Sequence, residues 1–300
     1  MTAAVAHQVR FDGQVVVVTG GGFGLGREHA LLLGVRGATV VVNDVNETGA
    51  RRTVDDIVTS GGHAAVRIAS IAEPATAAAL IDGVFSEFGR LDALLNNAGV
   101  GGPTGPIDTV DDAVLHKIVD SHLLGSFYTA RAAWPIMVAA GGGRIVFTSS
   151  GSAMGAAGSS VYSMAKAGLW GLTRSLAIDG APHDIVVNAV LPMGYTRAAA
   201  LNPNEDTRRL MEERFPPELT SPAAVFLCHP SAPCSGELIS CGGGRAARVA
   251  TVGVPGFDGG PALTIEDVRD RWDAVVAMDG WQVQMKSRDE LSFYRGAPTL

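Results

Sequence analysis

Tyr162 and Lys166 stand four residues apart in the Ala- and Leu-rich stretch Val161-Tyr162-Ser163-Met164-Ala165-Lys166, which should be helical. On a helix, residues i and i+4 lie one above the other, so the spacing puts a phenol and an ammonium on one face. A free phenol titrates near pH ~10 and is a poor base at neutrality, but a neighbouring cation favours phenolate. Such a pair can take a proton from a hydroxyl or return one. Upstream, residues 144–149 read as a strand that closes on Ser149-Ser150. That places a hydroxyl at the C-terminal edge of a sheet, where open α/β folds bind ligands. Ser150 could hold a substrate oxygen there while Tyr162 moves its proton.

A second set of residues lies near the start of the chain. The run 15–19 leads into Gly20-Gly21-Gly22-Phe23-Gly24-Leu25-Gly26, and a helical pattern follows. Gly20 permits a tight turn, Gly24 lets backbone approach a pyrophosphate, and Gly26 allows close packing of helix on strand, with Gly22, Phe23 and Leu25 completing the loop. The helix N-terminus adds N–H donors and a favourable dipole. Strand, loop and helix in that order are the context a dinucleotide site requires. Asp44 closes the second strand, 18 residues after Gly26. Its carboxylate can accept hydrogen bonds from the adenosine ribose hydroxyls and would repel a 2'-phosphate, so NAD is expected over NADP. Arg51 and Arg52, close by, leave exclusion of that phosphate open. An oxidised nicotinamide beside the phenol would add to the effect of the ammonium. Lowering the pKa by roughly 2 to 3 units, worth about 3 to 4 kcal/mol, would make Tyr162 a usable acid and base.

These groups need a scaffold, and the rest of the chain supplies one. Short β-branched runs at residues 15–19, 39–43, 64–69, 93–96, 144–149 and 185–191, with a seventh at 238–241, alternate with amphipathic segments that begin near Gly24, Glu47, Pro74, Val110, Val161 and Ser221. This is the pattern of βαβ units, and it predicts an α/β fold: one Rossmann-type, doubly wound parallel sheet of about seven strands. Hydrophobic residues at 47% and charged residues at 18% suffice for a sheet covered on both faces. The Pro- and Gly-rich residues 242–261 mark the end of that domain. We therefore expect a catalytic domain over 1–245 and a C-terminal extension over 246–300. In the extension, residues 264–291, with Trp272 and Trp281, read as a helical arm that packs on its own domain or on a sister subunit.

A net charge of -7 argues against a partner such as nucleic acid, whose phosphates need a Lys/Arg surface. The N-terminal residues suggest neither a signal peptide nor a membrane span, so no membrane association is expected and the cytoplasm is the expected location. Cys228, Cys234 and Cys241 form no Cys-x-x-Cys pair, and the seven His are scattered. Reduced thiols and no metal are expected.

Taken in order, Thr19-Gly20-x-x-x-Gly24-x-Gly26, Asn96-Asn97-Ala98-Gly99, the strand-end serine, Tyr162-x-x-x-Lys166 and Asn188-Ala-Val-Leu-Pro192 resemble the short-chain dehydrogenase/reductase family over about residues 11–245. The resemblance implies a seven-stranded parallel sheet and hydride transfer at a carbonyl or alcohol carbon. It also implies that Asn97, Ala98 and Gly99 line the cofactor, with Pro192 beside it and Thr196 at its carboxamide. Three positions depart from the family pattern. His122 occupies the place of an Asn that orders a relay water, and either a relay or a structural role suits it. Ser70, next to Ile71, replaces an acid on the adenine side. Ser150 precedes Tyr162 by twelve residues where thirteen is usual, so counting back from Tyr162 selects Ser149 while anchoring on the strand selects Ser150; the strand is the better anchor, because a register slip would flip its side chains whereas loops absorb deletions, and Ser150 is preferred.

Within the family, Phe11-Asp12-Gly13, Val41-Val42-Asn43-Asp44, Ala132-Ala133-Trp134 and the segment from Leu263 to Trp272 are similar to the (3R)-hydroxyacyl-CoA dehydrogenase branch. That likeness implies oxidation of a 3-hydroxyacyl-CoA to its 3-oxo form. A steroid, terpenoid or other secondary-alcohol dehydrogenase would use the same catalytic set under a different lid, here residues 197–217, and a non-catalytic NAD-sensing protein is the reading from another class. Family resemblance also implies a homodimer or homotetramer, with residues 127–140 and 169–178 able to supply the faces.

Overall fold

Val15, Val16, Val17 and Val18 are all buried, the mark of a strand covered on both faces. In the computed structural model, which describes residues 8–196, 200 and 204–294, they form β1 (Val15–Thr19). The further strands are β2 (Thr39–Asp44), β3 (His63–Ile68), β4 (Ala93–Asn96), β5 (Gly143–Thr148), β6 (Ile185–Pro192), β7 (Leu238–Gly242) and β8 (Arg245–Val249). Their order across the sheet is β3-β2-β1-β4-β5-β6-β7-β8, and the pairings from β3 through to β7 are parallel.

The expected count of about seven is thus corrected to eight. Gly243 and Gly244 take φ of +57° and +79°, the two positive values that a tight hairpin turn demands. A two-residue link can join only antiparallel neighbours, so β8 folds back on β7.

Helices connect the parallel strands: α1 (Gly24–Val35), α2 (Glu47–Thr59), α3 (Pro74–Phe88), α4 (Asp112–Val119), α5 (Gly125–Ala140), α6 (Ser160–Gly180), α7 (Glu205–Arg214) and α8 (Ser221–Leu227). Alternate strand residues point to opposite faces. Val16, Val18, Val40 and Val42 accordingly share a core with Ala30 and Leu33 of α1, Ile57 of α2, and Ala224 and Val225 of α8. On the other face α3 packs on α5, and α5 and α6 lie on β5 and β6. The helical segment expected from Val110 is in fact two helices, α4 and α5, joined by a π-helical turn at Asp120–Leu124. Such turns re-aim side chains, and this one carries His122.

Because β1 lies between β2 and β4, its crossovers run in opposite directions and the loops after β1 and β4 diverge. The crevice between them opens at the carboxyl ends of the strands.

The chain divides into two units, Met1–Arg248 and Val249–Leu300. The second contains a two-stranded ladder of β9 (Val252–Gly253) and β10 (Gln282–Val283), the short helices α9 (Ile265–Asp270) and α10 (Trp272–Val276), and a 3-10 turn at Ser287–Phe293. The expected single helical arm is therefore replaced by brief elements. Gly and Pro punctuate the segment, and α9 starts at a Thr264–Asp267 capping box and stops within two turns. Among the described residues no helix is long and apolar enough to cross a membrane. Cys228, Cys234 and Cys241 are free thiols.

Candidate active site

Thr19 ends β1 with its hydroxyl turned to the neighbouring strand, where it accepts the amides of Asn97 at 3.0 Å and Ala98 at 3.1 Å. Asn97 answers through Nδ2, which donates to the carbonyls of Thr19 and Gly20, both at 3.2 Å. These bonds lock the glycine loop to the segment after β4. The glycines are required by space. A Cβ at Gly26 would lie 2.2 Å from the Gly20 carbonyl oxygen, and one at Gly20, whose φ is +64°, would lie 2.7 Å from Ala98 Cα. Gly24, at φ +53°, has nothing within 4 Å of that position, so its backbone faces open space at the start of α1. Phe23, the residue preceding the helix, supplies no side-chain cap. The first amides of α1 thus remain available to an anion. Leu25 packs beneath Gly194, where a Cβ would meet it at 2.8 Å.

At the far end of the loop the Asp44 carboxylate accepts the Gly22 amide and the Asn46 amide, each at 2.9 Å. Arg51 is engaged by Glu47 at 2.7 Å, on its own helix. Ser70 accepts the Ala72 amide at 3.2 Å, while Ile71 is buried against Gly125. The uncapped helix, the open face at Gly24 and a half-buried carboxylate fit a dinucleotide without further adjustment.

Ser149 and Ser150 both follow the end of β5, which stops at Thr148, one residue before the sequence pattern closes that strand. Their fates differ. Ser149 is buried, donates to the Lys166 carbonyl at 2.8 Å and accepts the Trp170 indole N–H at 2.9 Å. Ser150 caps the 3-10 turn Gly151–Met154 and hydrogen-bonds to the Tyr162 phenol. The geometry brings Ser150, not Ser149, to the tyrosine.

Tyr162 and Lys166 share one face of α6. The Lys166 ammonium donates to the Thr148 carbonyl at 2.5 Å and lies 5.7 Å from the centre of the Tyr162 ring. Burial pulls its pKa down to about 7. The tyrosine behaves contrary to expectation: burial raises its pKa, and the Ser150 hydrogen bond offsets this only in part. The ammonium was expected to acidify the phenol, but it is turned to Thr148 and desolvation dominates.

His122 sits on the π-helical turn with Nε2 2.8 Å from the Val100 carbonyl oxygen and 3.1 Å from the Val100 nitrogen. Its ring stands edge-on to Tyr162 at 5.2 Å, and Nδ1 is buried with no hydrogen-bond partner among the described residues. Burial, with a smaller push from Lys166, lowers its pKa to about 3, so the imidazole is neutral.

Residues 14–209 match the family model described as short chain dehydrogenase. The chain belongs to the short-chain dehydrogenase family. This dehydrogenase is 36% identical over 286 residues to the peroxisomal multifunctional enzyme type 2 of Drosophila melanogaster, covering 90% of the chain but only 46% of that enzyme. It is 38% identical over 189 residues to a cyclohexanol dehydrogenase of Acinetobacter, covering 63% of the chain and 75% of the relative. Among solved structures, the full-length Drosophila enzyme superposes with a TM-score of 0.78 at 33% identity, over 94% of this chain and 48% of that one. A 7α-hydroxysteroid dehydrogenase solved with NADH and 7-oxo glycochenodeoxycholic acid gives a TM-score of 0.73 at 32% identity, over 79% of this chain and 95% of that one. The family uses NAD(H) or NADP(H), and relatives such as the cyclohexanol dehydrogenase and the 7α-hydroxysteroid dehydrogenase are named for activity on alcohols, so the chain belongs to a family of oxidoreductases.

Sequence reasoning named Thr19 in the glycine motif without a role for its hydroxyl, and it missed two further supports of the site, the Thr148 carbonyl that anchors Lys166 and Trp170 on Ser149. Trp170 had a signal, since it lies four residues after Lys166 and therefore on the same helix face. Pro192, at the end of β6, pairs with Cys241, and Thr196 follows it on the same edge. Of the lid expected over 197–217, α7 is described, whereas residues 197–199 and 201–203, Leu201 among them, lie outside the described residues.

Proposed function

We propose that this chain binds NAD and interconverts a secondary alcohol and its ketone at Tyr162, with a 3-hydroxyacyl-CoA as the substrate. One observation carries the reading: a serine hydroxyl, a phenol and a lysine ammonium meet at the strand ends beside an uncapped, glycine-rich helix start. Bound NAD would supply the acceptor for the hydride that leaves the carbinol carbon. Gly20, Gly22, Gly24 and Gly26 would hold the pyrophosphate at the first amides of α1, with Phe23 and Leu25 walling the loop. Asp44 would take the adenosine ribose, Asn97, Ala98 and Gly99 would floor the cleft, and Pro192 and Thr196 would meet the carboxamide. Ser150 orients the substrate oxygen, and Tyr162 takes its proton as the carbonyl forms. Lys166, its pKa brought down to about 7 by burial, accepts or holds a proton near neutrality, and it would hold the second ribose of the cofactor. His122 positions Tyr162 and the segment at Val100.

The likeness to the peroxisomal enzyme spans 90% of the chain, which supports the acyl-CoA reading. The match to cyclohexanol dehydrogenase supports a second reading, a plain secondary-alcohol dehydrogenase. NADH formation measured with 3-hydroxybutyryl-CoA, a long-chain 3-hydroxyacyl-CoA, cyclohexanol and a hydroxysteroid, each with NAD and with NADP, separates them. Turnover of the thioesters with NAD at least tenfold above the others is the expected outcome; turnover confined to cyclohexanol favours the second reading, and none at all rejects both. Assembly as a homodimer or homotetramer is part of the proposal, with light scattering as its check.

A further inference from the structure

Tyr162 is the third residue of α6, so its phenol is carried by the first turn of the helix. The first amides of a helix have no partner inside it, and a side chain commonly caps one of them. At α6 no side chain does so. Ser159 precedes the helix without a side-chain cap bond, and the Ser160 and Ser163 hydroxyls are buried with no hydrogen-bond partner among the described residues. An uncapped end is where a helix frays first. Fraying here would draw the phenol away from Ser150, its hydrogen-bond partner.

The residue before Ser159 is held from outside instead. The Gly158 carbonyl accepts the Gly105 amide at 2.8 Å. Gly158 has a φ of +68°, and a Cβ there would lie 3.1 Å from the Gly105 nitrogen, so the turn and the close approach both call for glycine. Gly105 is the far end of a short segment that is fixed elsewhere as well. Five residues earlier, the Val100 carbonyl oxygen lies 2.8 Å from His122 Nε2. Between these points Gly102 packs on α4, where a Cβ would lie 2.5 Å from Ile118 Cδ1. His122 in turn meets the Tyr162 ring edge-on at 5.2 Å. Residues 100–105 thus grip the imidazole beside the phenol and the backbone that leads to it.

We infer that residues 100–105 are a positioning brace for Tyr162, and that the Gly105–Gly158 hydrogen bond takes the place of the missing cap by holding the first turn of α6 so that the phenol stays on Ser150. The inference rests on the reading of Tyr162 as the acid and base of the reaction, and it adds Gly105 and Gly158, which act through the start of the helix. One backbone bond has this leverage because misplacing a reacting group by ~1 Å costs on the order of 10²-fold in rate.

Gly105→Pro removes the N–H, whereas Gly105→Ala keeps it and adds a Cβ that would meet only the Thr109 hydroxyl, at 3.0 Å. With NAD and 3-hydroxybutyryl-CoA, kcat per NADH-binding site should fall by about tenfold or more in Gly105→Pro, while KM and the NADH dissociation constant stay within about threefold of the parent. Gly105→Ala should stay close to the parent in all three. An unchanged kcat in Gly105→Pro, or an equal loss in Gly105→Ala, overturns the inference. Amide hydrogen exchange on the parent decides the brace independently of turnover and of whether Gly105→Pro folds. The Ser163 amide, which donates to the Ser159 carbonyl at 2.8 Å, closes the first turn of α6. It should share one opening with the Gly105 amide, their protection factors agreeing within about threefold. A Gly105 amide that exchanges freely while that of Ser163 stays protected overturns the inference. Absence of turnover with every alcohol would instead reject the reading of Tyr162, leaving the exchange comparison to judge the brace.

Discussion

The Lys166 ammonium lies 2.5 Å from the Thr148 carbonyl oxygen and 5.7 Å from the centre of the Tyr162 ring, so the cation is anchored to β5 beneath the phenol. Its charge is held in a buried place, and this has a consequence for stability. An unfolded lysine titrates near ~10.4, whereas in the fold burial brings Lys166 to about 7. Between those values the unfolded chain binds a proton that the folded chain has released, so stability rises with pH across the window. Below pH 7 the whole cost of the buried charge is present. Lys166→Met should therefore flatten the rise in melting temperature between pH 7 and 10; parallel curves for parent and variant would reject the assignment.

Tyr162 and the two adjacent serines separate chemistry from support. Tyr162→Phe should lower kcat by about 10²- to 10⁴-fold, the range for one acid–base group, while NADH binding by fluorescence stays close to parent. Ser150→Ala should lower kcat with a stability loss of no more than about 1 kcal/mol, that of its cap on the 3-10 turn. Ser149→Ala should do the reverse, costing about 1–3 kcal/mol because the Trp170 N–H loses its acceptor. Equal kinetic losses in both serine variants would contradict the geometry.

Asp44 accepts two backbone amides, one from the phosphate loop and one from the start of α2. It is therefore preset where the adenosine ribose would lie, and a 2'-phosphate would meet its charge. Asp44→Ala should lower the ratio of kcat/KM for NAD over NADP by roughly tenfold or more, the effect of losing one charged hydrogen bond. A ratio that does not move would place cofactor choice elsewhere.

Gly99 and His122 are matched in shape. A Cβ at Gly99 would lie 2.1 Å from His122 Cε1 and 2.4 Å from Nδ1, and the imidazole is held at Val100 with little room to yield. Gly99→Ala should destabilise by about 1–3 kcal/mol through overpacking. Combined with His122→Ala it should cost less than the sum of the singles, with a coupling of about 0.5–3 kcal/mol in denaturant melts. Strict additivity would mean that the two residues do not touch.

Periodicity and spacing were enough for the parallel sheet, the glycine loop and the Tyr162–Lys166 face, because each depends on residues close together in the chain. A strand followed by glycines and a helix states its own local geometry, and residues four apart on a helix must align. The eighth strand was legible in principle from Gly243-Gly244. Anchoring on the strand favoured Ser150 over Ser149, but the physical reason was not legible, since it turns on Trp170 and the Lys166 carbonyl reaching across from α6 to occupy the Ser149 hydroxyl. The same holds for Tyr162: its raised pKa comes from burial by several elements at once, and the direction of the ammonium is set by a carbonyl 18 residues away in sequence. Local spacing dictates which groups share a face; desolvation and long-range hydrogen bonds, which exist only once the chain has folded, decide what charge and orientation those groups adopt.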